Sequence, residues 1–146
     1  MIKSIVAASL LTTLGFATTH ACDGLEVEVP WIRTPPPGMS MTAGYMRVTN
    51  RSAQDRTITR ISNDLFGSAE LHETRTIESN SRMVHLDSVL VPAGGTVTAH
   101  PGGMHLMLSD TGEALTGRES VSITFHCDDG NSVEFEAPFR KRGLQE

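Results

Sequence analysis

From Leu25 onward, apolar and polar side chains alternate in short runs separated by turn-forming residues. "LEVEVPW" sets Leu25, Val27, Val29 and Trp31 on one face, against Glu26, Glu28 and Pro30. "GYMRVTN", "RTITRIS", "SAELHET" and "MVHLDSVLV" follow, and each reads as a strand. "PAGG" leads into "TVTAH", and "PGG" leads into "MHLML". "SVSITFHC" and "NSVEFEAPF" close the series through Asp128, Asp129 and Gly130, and Asp-Gly between alternating runs is a hairpin signal. No segment keeps a helical period, although "TGEALTG" has room for one short turn. "TPPPG" at 34–38 reads as a stiff connection between strands. About eight short strands with frequent turns predict an all-β sandwich or barrel. No repeat, linker or second domain interrupts the pattern, and the tail "RKRGLQE" is polar.

The first residues follow a different pattern. Lys3, then "IVAASLLTTLGFA", then small residues read as a secretory signal, too short to span a bilayer comfortably. The expected organisation is a signal over 1–21, with cleavage after residue 17 as the alternative, and one domain over 22–146. Cys22 follows Ala21 as in a lipid-attachment signal, but Thr19 stands where such signals carry Leu. Loss of Lys3 leaves eleven basic side chains against seventeen acidic ones and moves the formal charge from −5 to −6. That balance argues against nucleic acid and anionic membrane surfaces as partners. In an exported chain, the two cysteines, Cys22 and Cys127, read first as one disulfide. The alternative is a buried free thiol, since the alternation of "VSITFHC" points Cys127 inward with Val121, Ile123 and Phe125.

Motifs of catalysis are missing: there is no G-x-S-x-G, no H-E-x-x-H and no phosphate-cradling glycine loop, so an enzyme is not expected. The distinctive feature is seven Met and six His in a β-rich chain. Strands prefer branched and aromatic side chains, so Met outside a core needs a reason. In "AHPGGMHLML" the alternation puts Leu106 and Leu108 on one face and His105 and Met107 on the other. Upstream, ten residues separate His72 from Met83, and 21 separate Met83 from His105. Thioether and imidazole together suit Cu(I), whereas zinc, calcium and magnesium have little use for a thioether. In an oxidising compartment paired thiolates become disulfides, and methionine keeps affinity for a soft metal without that risk. Taken singly, each of the four residues has an ordinary account as exposed histidine, core filler or strand face.

The series H-x(10)-M-x(21)-H-x-M matches the signature of the periplasmic copper chaperones called PCu(A)C. "WIRTPPPG", "TAGYMRVTN", "AELHET", "PAGG" and "PGGMHLML" resemble segments of that family in the same order, over residues 25–140. The resemblance implies a cupredoxin-like Greek-key β-sandwich that binds one Cu(I) per chain through His72, Met83, His105 and Met107. It implies delivery of copper to the binuclear copper site of cytochrome c oxidase, alongside Sco-type proteins. The export signal predicts a periplasmic protein, expected as a monomer that is not inserted in the membrane. The Met/His-rich C-terminal extension of some relatives is absent.

Other residues enter by position. His85 shares strand parity with Met83 but lies outside the signature and reads as a solvated histidine. His100 precedes the PGG turn at the expected rim of the site. Met39 and Met41 offer a soft entry patch, although filler is the simpler account of both and of Met46. Cleavage after Ala17 would leave Thr18-Thr19-His20, whose amine, two amides and imidazole can hold Cu(II) in four nitrogens, a secondary copper site. Three other functions compete with a copper chaperone. An electron-transfer cupredoxin needs a Cys thiolate with nearby His and Met, and "DDGNSVEFEAPF" after Cys127 supplies neither His nor Met. A metal-free β-sandwich binding module is the second, and a copper enzyme, for which no substrate-pocket residues argue, is the third.

Overall fold

Ten strands account for most of the chain in the computed structural model, which describes residues 22–111, 115 and 117–141. They are β1 (Leu25–Arg33), β2 (Met41–Asn50), β3 (Arg56–Asn63), β4 (Ser68–Ile77) and β5 (Asn80–Leu86). Then follow β6 (Val89–Val91), β7 (Thr96–Ala99), β8 (Met104–Ser109), β9 (Ser120–Cys127) and β10 (Ser132–Arg140). The described residues contain no α-helix, and none of their segments is a helix long and apolar enough to cross a membrane. The expected signal at 1–21, including His20, most of "TGEALTG" and the last five residues lie outside the described part.

The fold is all-β and cupredoxin-like, with ten strands where about eight were expected. "MVHLDSVLV" divides at Asp87 and Ser88 into β5, which pairs with β4, and β6, which pairs with β3. The chain thereby passes from one end of the strand order to the other. The strand order is β5-β4-β8-β2-β1-β10-β9-β3-β6, with β7 beside β2. All neighbours are antiparallel except β1 and β10, whose parallel pair joins the two halves of the curled sheet. Between the halves lie Ile32, Leu71, Leu106, Leu108, Val121, Ile123 and Phe125, all buried.

Alternation in β9 is complete: Val121, Ile123, Phe125 and Cys127 point inward. Cys127 meets Cys22 in a disulfide with Cα atoms 5.5 Å apart, tying the start of the described chain to the end of β9. In β1 the alternation fails. The register against β2 shifts between Glu28 and Trp31, and Val29 adopts a φ of 49° and is exposed rather than inward. The extra residue of this bulge turns Ile32 into the core and Trp31 onto the opposite face, where Trp31 and Tyr45 form a cross-strand pair with ring centres 4.6 Å apart. Gly44 lies over Ile32 on the inner side, where a Cβ would come within 2.6 Å of Ile32 Cδ1, so only glycine lets β1 and β2 pack this closely.

Candidate metal centre

β8 begins at a turn. Pro101, Gly102 and Gly103 reverse the chain, Gly102 holds a φ of 84° that favours glycine, and Gly103 N–H donates to the His100 carbonyl at 3.1 Å. From there Leu106 and Leu108 enter the core with no exposure. His105 and Met107 take the other face, His105 buried at 6% exposure and Met107 half-buried.

The neighbouring strands continue that face. β4 and β8 align His72 with His105 and Glu70 with Met107. β5 and β4 align His85 with His72 and Met83 with Thr74. Residues paired across a ladder point to the same side, so His85, His72 and His105 form one row of imidazoles. Met107 stands one row to one side of the two central histidines, and Met83 one row to the other side. A diagonal neighbour in a sheet is about 7–8 Å away, within reach of a long, unbranched side chain. Four residues scattered over 36 positions of chain thus converge on one patch.

His72 and His105 have ring centres 6.1 Å apart. With metal–imidazole bonds of about 2.0 Å, two rings on one ion have centres about 5–6 Å apart, so little movement separates this pair from a coordinating one. Each ring is held by one nitrogen. His105 Nδ1 lies 3.0 Å from the Gly103 carbonyl oxygen, to which it can only donate, and that same oxygen accepts the Thr74 N–H at 3.2 Å. His72 Nε2 lies 3.0 Å from Glu70 Oε2. With protons on those nitrogens, the lone pairs fall on His105 Nε2 and His72 Nδ1. His72 Nδ1 is buried with no hydrogen-bond partner among the described residues. A histidine anchored through one nitrogen to a carbonyl or carboxylate, with the other nitrogen free, is the usual arrangement of a metal ligand.

Met83 is 62% exposed, so the patch meets solvent on that side. Met39 and Met41 are also exposed, and Met41 pairs with Ser109, one row beyond Met107 on the same face. Met46 is a core residue. His100 sits in the PGG turn with Nδ1 3.1 Å from the Pro101 carbonyl. Two residues outside the sequence signature join the patch. Glu70 accepts from His72, and this bond, outweighing partial burial, holds its carboxyl below the usual carboxylate value. His85, expected as a solvated histidine, is half exposed yet stacks edge-on against His72 with ring centres 5.4 Å apart. Strand parity hinted at His85; Glu70 shares the parity of His72, a signal that looks like any alternating polar residue.

Known structures share this architecture. The Cu(I)-bound form of DR1885 from Deinococcus radiodurans is 28% identical, with a TM-score of 0.64 over 86% of this chain and 84% of that one. Its apo form is 27% identical, with a TM-score of 0.63 over 97% and 95%. The copper-bound PCuAC domain from PmoF2 has the same fold, at 23% identity and a TM-score of 0.67 over 82% of this chain and 94% of that domain. Among curated proteins, the putative lipoprotein Lxx21020 of Leifsonia xyli subsp. xyli is 29% identical over 119 residues, which are 81% of this chain and 70% of that protein. Two of these solved neighbours are copper-bound. The family model described as "Putative lipoprotein LpqE-like" matches residues 25–139, and the chain belongs to that LpqE-like family.

Proposed function

We propose that the protein is an exported copper chaperone that carries one Cu(I) held by His72, Met83, His105 and Met107. The observation that carries this reading is the pair of anchored imidazoles, one lone-pair nitrogen of which is buried without a partner among the described residues, flanked on either side by a thioether. Two neutral imidazoles and two neutral thioethers satisfy a soft monovalent ion without binding it as a fixed charge pair. The exposure of Met83 supports transfer, because an acceptor's ligand can replace a donor at the rim without opening the core. The copper-bound relatives support the choice of metal.

In this reading residues 1–21 are a signal, residues 22–146 are one monomeric domain in the periplasm, and the acceptor is the copper subunit of cytochrome c oxidase, reached alongside Sco-type proteins. The electron-transfer alternative lacks its central donor, since both cysteines are joined in the disulfide and neither offers a thiolate. Anaerobic Cu(I) titration against a competing chelator, followed by X-ray absorption, tests the site. The expected result is one equivalent with both sulfur and nitrogen neighbours. An all-nitrogen shell, or loss of copper on dialysis, would refute it. Transfer to the isolated soluble copper domain of the oxidase tests the acceptor.

A further inference from the structure

We propose that Glu70, His72 and His85 form a second copper position that takes Cu(II) and shares His72 with the Cu(I) position. Its donors carry no sulfur. One carboxylate oxygen and one nitrogen from each ring all lie within 4.8 Å of one another. Glu70 Oε2 is the hub, 3.0 Å from His72 Nε2 and 3.5 Å from His85 Nδ1. The second nitrogen of His85 is 3.5 Å from Asp87 Oδ1, so a carboxylate at the outer end can hold that proton and leave the Nδ1 lone pair facing Glu70. Two imidazoles and a carboxylate favour Cu(II), which stands highest of the divalent first-row ions at such a set. Cu(I) gains nothing from the hard carboxylate and goes to the donor set that carries thioethers.

Access and room differ in the same sense. His105 is buried, whereas the side chains of Glu70 and His85 are 48% and 49% exposed. The cluster opens on a groove lined by Arg60, Glu70, His85 and Asp87, where water can complete the coordination of Cu(II). His72 makes the two positions exclusive. A neutral imidazole has one lone pair. Binding through Nε2 displaces its proton to Nδ1 by way of solvent, and Nδ1 is the atom the Cu(I) position uses. One imidazole therefore serves two donor sets, one that carries thioethers and one that carries a carboxylate oxygen, matched to the two oxidation states of the cargo. The proposal rests on the Cu(I) reading only through this sharing.

The test uses the full chain with His20→Ala, which removes the N-terminal four-nitrogen alternative. Electron paramagnetic resonance in air should show one Cu(II) with nitrogen coupling from two imidazoles. His85→Ala should weaken Cu(II) at least tenfold while changing anaerobic Cu(I) affinity less than threefold. Met83→Ala with Met107→Ala should do the reverse. Prior loading with Cu(I) should suppress the Cu(II) signal. His85→Ala that keeps Cu(II) affinity within threefold would overturn the second position. A full Cu(II) signal in Cu(I)-loaded protein would overturn the sharing. If the double methionine variant leaves Cu(I) binding intact, the Cu(I) assignment fails, and the His85 comparison still decides the Cu(II) position. Because His85 is half exposed, a thermal melt of His85→Ala should match the parent and show that the variant folds.

Discussion

His72 and His105 sit directly opposite each other across the β4–β8 ladder, each ring fixed by a hydrogen bond on one nitrogen. Their anchors differ: a backbone carbonyl in the PGG turn holds His105, and a side chain, Glu70, holds His72. Chain geometry alone positions the first, whereas the second is open to substitution.

Met107→Ala removes a soft donor on the buried side of the patch. Cu(I) affinity should fall at least tenfold, about 1.4 kcal/mol. Chelator competition under anaerobic conditions measures it. His72→Ala and His105→Ala should lower affinity further, since each also removes an anchored lone pair.

Glu70→Gln replaces an acceptor carboxylate with an amide that can donate or accept. His72 should then populate both tautomers, visible in its ring nitrogen shifts, while His105 keeps one. Cu(I) affinity should fall about tenfold, at the lower end for loss of such a partner. A drop in affinity with an unchanged His72 tautomer would show that Glu70 acts otherwise.

The Cys22–Cys127 bridge closes a loop with a separation of 105 residues. Replacing both cysteines with serine should cost about 2–5 kcal/mol, read from the urea midpoint. The bridge also bears on the lipoprotein description of the family. A sulfur in a disulfide has no valence left for the thioether of a lipid anchor, so mass spectrometry of exported protein should find Cys22 oxidised and unlipidated. A diacylglyceryl adduct on Cys22 would contradict this.

His126 is paired with Ser62 at 2.8 Å and faces Arg60 in the β3–β9 register. Burial, and then the charge of Arg60, hold its imidazole below the ordinary 6.5. Between that lowered value and 6.5 the unfolded chain binds the proton more readily, so stability rises with pH across the window and is lost as pH falls through it. His126→Gln should flatten this part of the pH–stability curve, and proton NMR should show His126 titrating below 6.5.

The two faces of β8 were legible in the sequence because alternation in a strand is strict: Leu106 and Leu108 inward, His105 and Met107 outward. The inward pointing of Cys127 and the hairpin at Gly130 follow from the same regularity and from local turn chemistry. His72 and Met83 were singled out by the resemblance to the copper-chaperone signature, because each taken singly looks like an ordinary strand residue. None of these signals says which strands become neighbours. Only the ladders of β4 with β5 and β8 bring His85 and Glu70 to His72, since pairing is made between segments far apart in sequence. Trp31 shows the same limit from the other side. By alternation it belongs with Leu25 and Val27, yet the bulge at Val29 sends it to the opposite face. A single extra residue reverses every side chain beyond it, and its position is chosen by how β1 must meet both β2 and β10. Composition and period determined which residues can form a soft-metal face. The packing of the curled sheet decided which of them share one face.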